Sequence, residues 1–262
     1  MSGWMTMCWF GVVNREQRMS VLADIENKVR SGKKMFFLLI DPDKVPDDSI
    51  KHLFEKAGTN LPDLVLIGGS LISKPVEPVI EKIKKVSLLP IFLFPGSLLQ
   101  ISGKADGILL LNLISGRNPE YLIGNHVVAA PLIKYYRLEA IPTGYILIAG
   151  TRNTSVEIVS NTHPLPVQRP DIITATALAG EYMGNRLIYL EKGSGADMPV
   201  PADIVARVKE ESSVPLIVGG GIRSATQAEE LYQAGADILV VGNAIEKRPG
   251  FIKDMRDLAD NL

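Results

Sequence analysis

Cysteine, histidine and tryptophan are scarce in this chain of 262 residues, which holds one, three and two of them. The single cysteine, Cys8, excludes an internal disulfide framework and any cysteine-rich metal site. Charge of one sign is missing too. Lys and Arg number 28 against 29 Asp and Glu, so no global field draws the chain to nucleic acid or acidic membranes. The longest apolar runs, such as residues 35–40, fall far short of the roughly 20 residues that span a bilayer. Both tryptophans, Trp4 and Trp9, lie in an apolar opening segment with no basic stretch before it and no small-residue cleavage site after it, which argues against a secretory signal.

What is present is apolar and periodic. Hydrophobic residues make up 46% of the chain, enough for one large core. The length is close to the ~250 residues of a single (β/α)8 barrel. Residues 1–18 read as an N-terminal extension outside the fold, and residues 19–262 as the barrel's catalytic domain. Ser20 is the expected N-cap of a first helix with Val21, Ile25 and Val29 on one face. A chain beginning at Met19 is therefore expected to fold and work like the full one.

From Lys34 onward, strand and helix signals alternate eight times. Strands are expected at 35–40, 64–67, 91–94, 107–111 and 145–149, then in the apolar runs that open the glycine-bearing stretches 188–196, 216–223 and 238–244. Their sequences are apolar throughout, as expected of strands covered on both faces. Only residues 95–106 separate the third and fourth strands, which is thin for a crossover helix, so the third helix is expected to be reduced or missing. The fourth helix is expected over 119–128. The polar stretch 150–170, with Pro164, Pro166 and Pro170, reads as an ordered loop or lid.

In such a barrel the C-terminal tips of all strands face one site. The tips read Asp41, Asp43 and Lys44; Gly69 and Ser70; Ser97; Asn112; Glu191 and Ser194; Gly220 and Gly221; Gly242 and Asn243. No histidine is among them. His52 and His126 fall in helices and His163 in the long loop, so a histidine proton shuttle or histidine-ligated metal is not expected. Gly219-Gly-Gly221 followed by Ser224 and Gln227 is a glycine turn opening into a capped helix, a ready anion site. One carboxylate, a hydroxyl and bare backbone suit Mg²⁺, which keeps waters and leans on substrate phosphates. Plainer readings exist. Asp41-Pro-Asp-Lys44 could be an ordinary turn with Asp47 or Asp48 capping the next helix, and Tyr189 could be core packing. On the residues alone, a phosphosugar isomerase or epimerase barrel and a non-catalytic phosphate-binding barrel remain open.

Asp41-Pro-Asp-Lys44, Gly68-Gly-Ser70, Pro142-Thr-Gly-Tyr145, Tyr189-Leu-Glu-Lys-Gly-Ser-Gly195, Gly219-Gly-Gly-Ile-Arg223 and Gly242-Asn243 follow one another in this order. Together they resemble the geranylgeranylglyceryl phosphate synthase family, whose bacterial relatives make heptaprenylglyceryl phosphate. The likeness runs from about Ser20 to the C-terminus. The stretch from Ala177 to Gly184 is similar to the archaeal, larger-subunit branch, while Lys192 departs from the small residue expected there. The resemblance implies an Mg²⁺-dependent prenyltransferase. Such an enzyme joins sn-glycerol 1-phosphate to geranylgeranyl diphosphate through an ether bond and releases diphosphate. It further implies Asp41 and Ser70 as Mg²⁺ ligands, and Glu191 as the catalytic residue. Glycerol phosphate would be held by Tyr189, Leu190, Glu191, Lys192, Gly193, Ser194, Gly195, Gly220, Gly221, Gly242 and Asn243. A cytoplasmic homo-oligomer whose product goes on to the membrane, with a long apolar groove past the short third unit, completes the expectation.

Overall fold

Eight parallel strands pair in sequence order and close on themselves. A computed structural model describes residues 20–46 and 49–262 of the chain. The expected extension, Met19, and Asp47 and Asp48 lie outside the described residues. The strands are β1 (Met35–Ile40), β2 (Leu64–Ile67), β3 (Ile91–Leu93), β4 (Gly107–Leu113), β5 (Glu139–Leu147), β6 (Leu187–Glu191), β7 (Leu216–Gly219) and β8 (Ile238–Val241). Closure comes from β8, whose Ile238 to Val241 register against Met35 to Leu38 of β1.

Alternation along each strand divides the apolar side chains into two cores. Met35, Phe37, Leu66, Phe92, Leu109, Ile141, Tyr189, Ile217 and Val240 fill the barrel. Phe36, Leu38, Val65, Ile108, Ile188, Leu190 and Leu239 face the helices. The covering helices are α2 (Ser49–Ala57), α3 (Glu77–Val86), α4 (Asn125–Tyr136), α6 (Pro170–Tyr182), α7 (Ala202–Glu211), α8 (Ala225–Gln233) and α10 (Phe251–Asn261). Two shorter pieces, α5 (Ser155–Ser160) and α9 (Asn243–Lys247), sit on loops at the strand tips.

The first helix, α1 (Val21–Arg30), plugs the barrel's N-terminal end, with Ile25 reaching the interior cluster. Glu139, the first residue of β5, accepts bonds from Ser20 Oγ (2.6 Å), Val21 N (2.9 Å) and Leu22 N (2.9 Å). A carboxylate at a helix N-terminus satisfies free N–H groups and favours the helix dipole. Glu139→Ala should therefore cost about 1–2 kcal/mol. Calorimetry should show the melting temperature falling by about 2–4 °C per kcal/mol, with activity retained.

The third unit has no crossover helix. Between β3 and β4 the chain makes only a single tight turn, Leu98–Gln100. In its place Gln100, 2% exposed, clamps two strand tips. Its amide nitrogen donates to the Gly69 carbonyl (2.8 Å), and its oxygen accepts from Gly69 N (3.3 Å) and Gly96 N (3.2 Å). The tips meet so closely that a Cβ on Gly96 would stand 2.3 Å from the Gly69 carbonyl oxygen.

Three elements depart from the sequence reading. β5 begins at Glu139 instead of residue 145, with Pro142 inside it. The proline is tolerated because β6 first pairs at Thr143↔Leu187, so no ladder bond is lost. α4 continues through Pro131 to Tyr136, carried past the proline by Ala129 and Ile133 on its buried face. Asn112 lies within β4 instead of at its tip. Its amide donates to Asn185 Oδ1 (2.8 Å), placing it on the helix side of the wall and away from the site.

Candidate active site

The tips of β1, β2, β6, β7 and β8 surround a polar cavity of about 740 Å³. On one side lies a nest of backbone. Gly220 (φ +81°) and Gly221 (φ +74°) occupy left-handed conformations that other residues rarely adopt. A Cβ on Gly220 would stand 2.5 Å from Glu191 Oε1, and one on Gly221 would stand 2.3 Å from the Met198 carbonyl oxygen. The glycines therefore serve both backbone conformation and close approach. Ser224 caps α8 just beyond, accepting from Gln227 N (3.2 Å). Gln227 reciprocates one residue early, accepting from Arg223 N (2.9 Å). Gly195, Gly242 and Asn243 complete the rim, and Arg223 steadies the β6 loop by donating to the Ala196 carbonyl (2.7 Å).

Glu191 closes the floor. It is 5% exposed, and its Oε1 accepts the Gly193 N–H at 2.6 Å. Burial pushes its carboxyl up to about 7, against the pull of hydrogen bonds that favour the charge, Gly193 N–H first. Tyr189, two residues earlier on the same face, is fully buried. Its hydroxyl lies beside Glu191 and has no geometric hydrogen-bond partner among the described residues. The ring packs on Phe94 and Tyr145, with centroids 5.6 and 5.2 Å away.

Not every expected glycerol phosphate residue faces this cavity. Leu190 points the other way, into the helix-side core, because alternate residues of a strand face opposite sides. Lys192 is also turned away. It is 7% exposed and its ammonium donates to the Ala149 carbonyl, anchoring the β5–α6 loop; burial lowers its pKa. Gly193 contributes its N–H to Glu191 and is absent from the cavity lining. Ser194 reaches the cavity, accepting from Asn243 Nδ2 (3.4 Å) and from Lys44 Nζ (3.2 Å).

Asp41 and Ser70 line the cavity from the tips of β1 and β2. Asp41 is more enclosed than its tip position implied, its side chain 14% exposed and its Oδ2 paired with Lys44 Nζ at 2.8 Å. A Cβ on Gly69 would lie 3.3 Å from Asp41 Oδ2, so the carboxylate comes up against the residue that precedes Ser70. Asp43 instead binds the next loop, accepting from Ser73 N (2.7 Å), Ser73 Oγ (3.1 Å) and Lys74 N (2.9 Å), and these bonds hold its carboxyl below the usual range. No cluster of three His, Cys, Asp or Glu side chains able to cage a metal exists among the described residues. One carboxylate beside one hydroxyl still matches an ion that completes its shell with water and phosphate.

Sequence reasoning missed Glu246, Lys247 and Arg248, which line the same cavity from α9. Pro249-Gly250, where the last helical stretch breaks in two, was the available signal. A second, apolar cavity opens where the third helix is missing. Leu98, Ile101, Leu111, Tyr121, His126 and Ala129 line it, and Gly69, Ser70, Phe94, Tyr145 and Val156 line both cavities.

A sequence model of the PcrB family matches residues 27–259. A protein of Spirosoma linguale named geranylgeranylglyceryl phosphate synthase is 46% identical over 238 residues, covering 90% of this chain and 94% of its own length. A Pyrococcus abyssi protein of the same name is 42% identical over 241 residues, with coverage of 90% and 94%. A crystal structure of the Thermoplasma acidophilum (S)-3-O-geranylgeranylglyceryl phosphate synthase, in complex with sn-glycerol-1-phosphate, superposes with a TM-score of 0.86 at 33% identity and covers 94% of this chain and 100% of that one.

Proposed function

Because the chain belongs to the PcrB family, we propose that it forms the ether bond between sn-glycerol 1-phosphate and geranylgeranyl diphosphate. The observation that carries this reading is a buried carboxylate, Glu191, lining the same cavity as a glycine nest, a cavity that shares Phe94 and Tyr145 with an adjoining apolar one. The phosphate of the acceptor sits on Gly195, Gly220, Gly221, Gly242 and Asn243, where backbone N–H groups favour an anion. Glu191 grips the glycerol hydroxyls and takes the proton of the attacking one. A carboxyl near 7 suits a base working at neutral pH. The hydroxyl oxygen bonds to C1 of the prenyl chain as the C1–oxygen bond breaks and its electron pair leaves with diphosphate.

The prenyl chain lies in the apolar cavity, its head carried past Phe94 and Tyr145 towards Ser70. Asp41 and Ser70 would hold Mg²⁺, and its contribution there is neutralisation of charge on the leaving diphosphate. No helix among the described residues is long and apolar enough to cross a membrane. We place the enzyme in the cytoplasm as a homo-oligomer that passes its product to the membrane. The exposed aliphatic residues Val127, Val128 and Leu132 of α4 support self-association.

An isomerase or epimerase would need a second free acid or base opposite Glu191. Asp41 is paired with Lys44, and Asp43 is held by Ser73 and Lys74. The test is an assay with labelled sn-glycerol 1-phosphate, Mg²⁺ and a ladder of prenyl diphosphates. Ether product with the C20 donor is the expected result. Binding of glycerol phosphate without turnover of any donor would leave only a phosphate-binding barrel.

A further inference from the structure

Lys44 belongs to the tip motif of β1 and has no part in the reaction as derived above. It touches both halves of the polar cavity. Its ammonium pairs with Asp41 Oδ2 at 2.8 Å on one side and donates to Ser194 Oγ at 3.2 Å on the other. Ser194 in turn accepts from Asn243 Nδ2, so a continuous chain of contacts runs from the carboxylate assigned to the donor side to the rim of the phosphate nest. The side chain is 44% exposed, and the cavity lies open around it.

We propose that Lys44 is the cation shared by the two substrates, bridging the phosphate of the acceptor and the diphosphate of the donor. The inference rests on the prenyltransferase reading. Joining glycerol phosphate to a prenyl diphosphate brings two multiply charged anions together within one cavity. Unscreened, each would weaken the binding of the other. The nest supplies backbone dipoles, and the other cationic side chains lining the cavity, Arg223, Lys247 and Arg248, reach it from the loop after β7 and the end of α9. Lys44 is bonded to both sides, to Asp41 on one and Ser194 on the other. A lysine suits the place, since an ammonium is a compact charge on a flexible stem with three donors. Glu246 faces the same spot from α9, half-buried, with Lys44 favouring its charge and Asp41 opposing it.

The test measures coupling between the two anions and does not depend on turnover. Titration calorimetry would follow sn-glycerol 1-phosphate binding to the full chain, with and without saturating inorganic diphosphate and Mg²⁺. In the wild type, diphosphate should shift the glycerol phosphate Kd by less than about threefold. In Lys44→Gln it should weaken binding roughly tenfold, within the usual range of coupling between sites. Lys44→Arg should restore most of the difference, because charge and not length is what bridges. A Lys44→Gln variant with the wild-type coupling factor would overturn the bridge, however much either single affinity had dropped. A wild-type chain that binds neither anion would instead overturn the prenyltransferase reading itself. Circular dichroism would confirm that the exposed substitution leaves the fold unchanged.

Discussion

Glu191→Gln should lower turnover by roughly 10²–10⁴, the usual contribution of a general base. An amide of the same shape keeps the Gly193 N–H bond and part of the grip on the glycerol hydroxyls, yet accepts no proton. Glycerol phosphate should still bind, because the nest proposed for its phosphate, Gly220, Gly221, Gly242 and Asn243, is untouched. Steady-state kinetics with both substrates varied decide the matter. Unchanged kcat with a raised acceptor KM would make Glu191 a binding residue only. The wild-type kcat/KM should fall as pH drops below about 7, where the carboxyl becomes protonated.

The same substitution should raise stability at alkaline pH. The folded carboxyl sits near 7 against an ordinary value of 4.5. Folding therefore favours the protonated form, so stability present below 4.5 is lost as pH rises through 7. The difference is of order 3 kcal/mol. Glu191→Gln should melt well above the wild type at pH 8 and close to it at pH 4. Equal melting temperatures at both values would show that burial does not disfavour the charge.

Asp41→Asn should abolish turnover. An amide is a weak ligand for a hard cation, and the proposed site pairs this carboxylate with Ser70 and substrate oxygens. Fold stability should change little, since the lost partner is Lys44, itself 44% exposed, and such pairs contribute at most about 1 kcal/mol. Activity across an Mg²⁺ titration is the measurement. Normal turnover in limiting Mg²⁺ would move the metal elsewhere. Glycerol phosphate affinity measured on the same variant should be nearly unchanged, which separates this residue from the nest.

The barrel was legible because its strands are apolar on both faces and its helices carry caps, such as Ser20 and Ser224, that the structure confirms. The short third unit followed from counting residues alone. The site was legible less evenly. Glycines at strand tips announce backbone that must bend or approach closely, and Gly220 and Gly221 do both. Side-chain direction was not visible in the motif. Tyr189, Leu190, Glu191 and Lys192 are contiguous in sequence, but period two sends Leu190 to the helix layer, and the turn after β6 sends Lys192 to Ala149. Gln100 gave no signal, because its partners are main-chain groups of Gly69 and Gly96. The α5 signal was present in Thr154 and Glu157, a reciprocal capping box hidden inside what read as loop.

Omitting the third helix has an effect on how the enzyme can change over time. The proposed acceptor site is built on strand tips whose geometry the whole barrel enforces, and side chains at Gly220 or Gly221 would clash. On the proposed reading, the wall around the prenyl chain combines β4, the connecting segment after β3, α4 and α5, with one buried glutamine securing the strand ends. Leu98 and Ile101 belong to that connecting segment, outside every strand register and outside the glycine nest. Substitutions in that segment should therefore change preference for hydrocarbon length more than recognition of the polar partner, whereas Gly69, Ser70, Phe94, Tyr145 and Val156 line both cavities and should affect the two together.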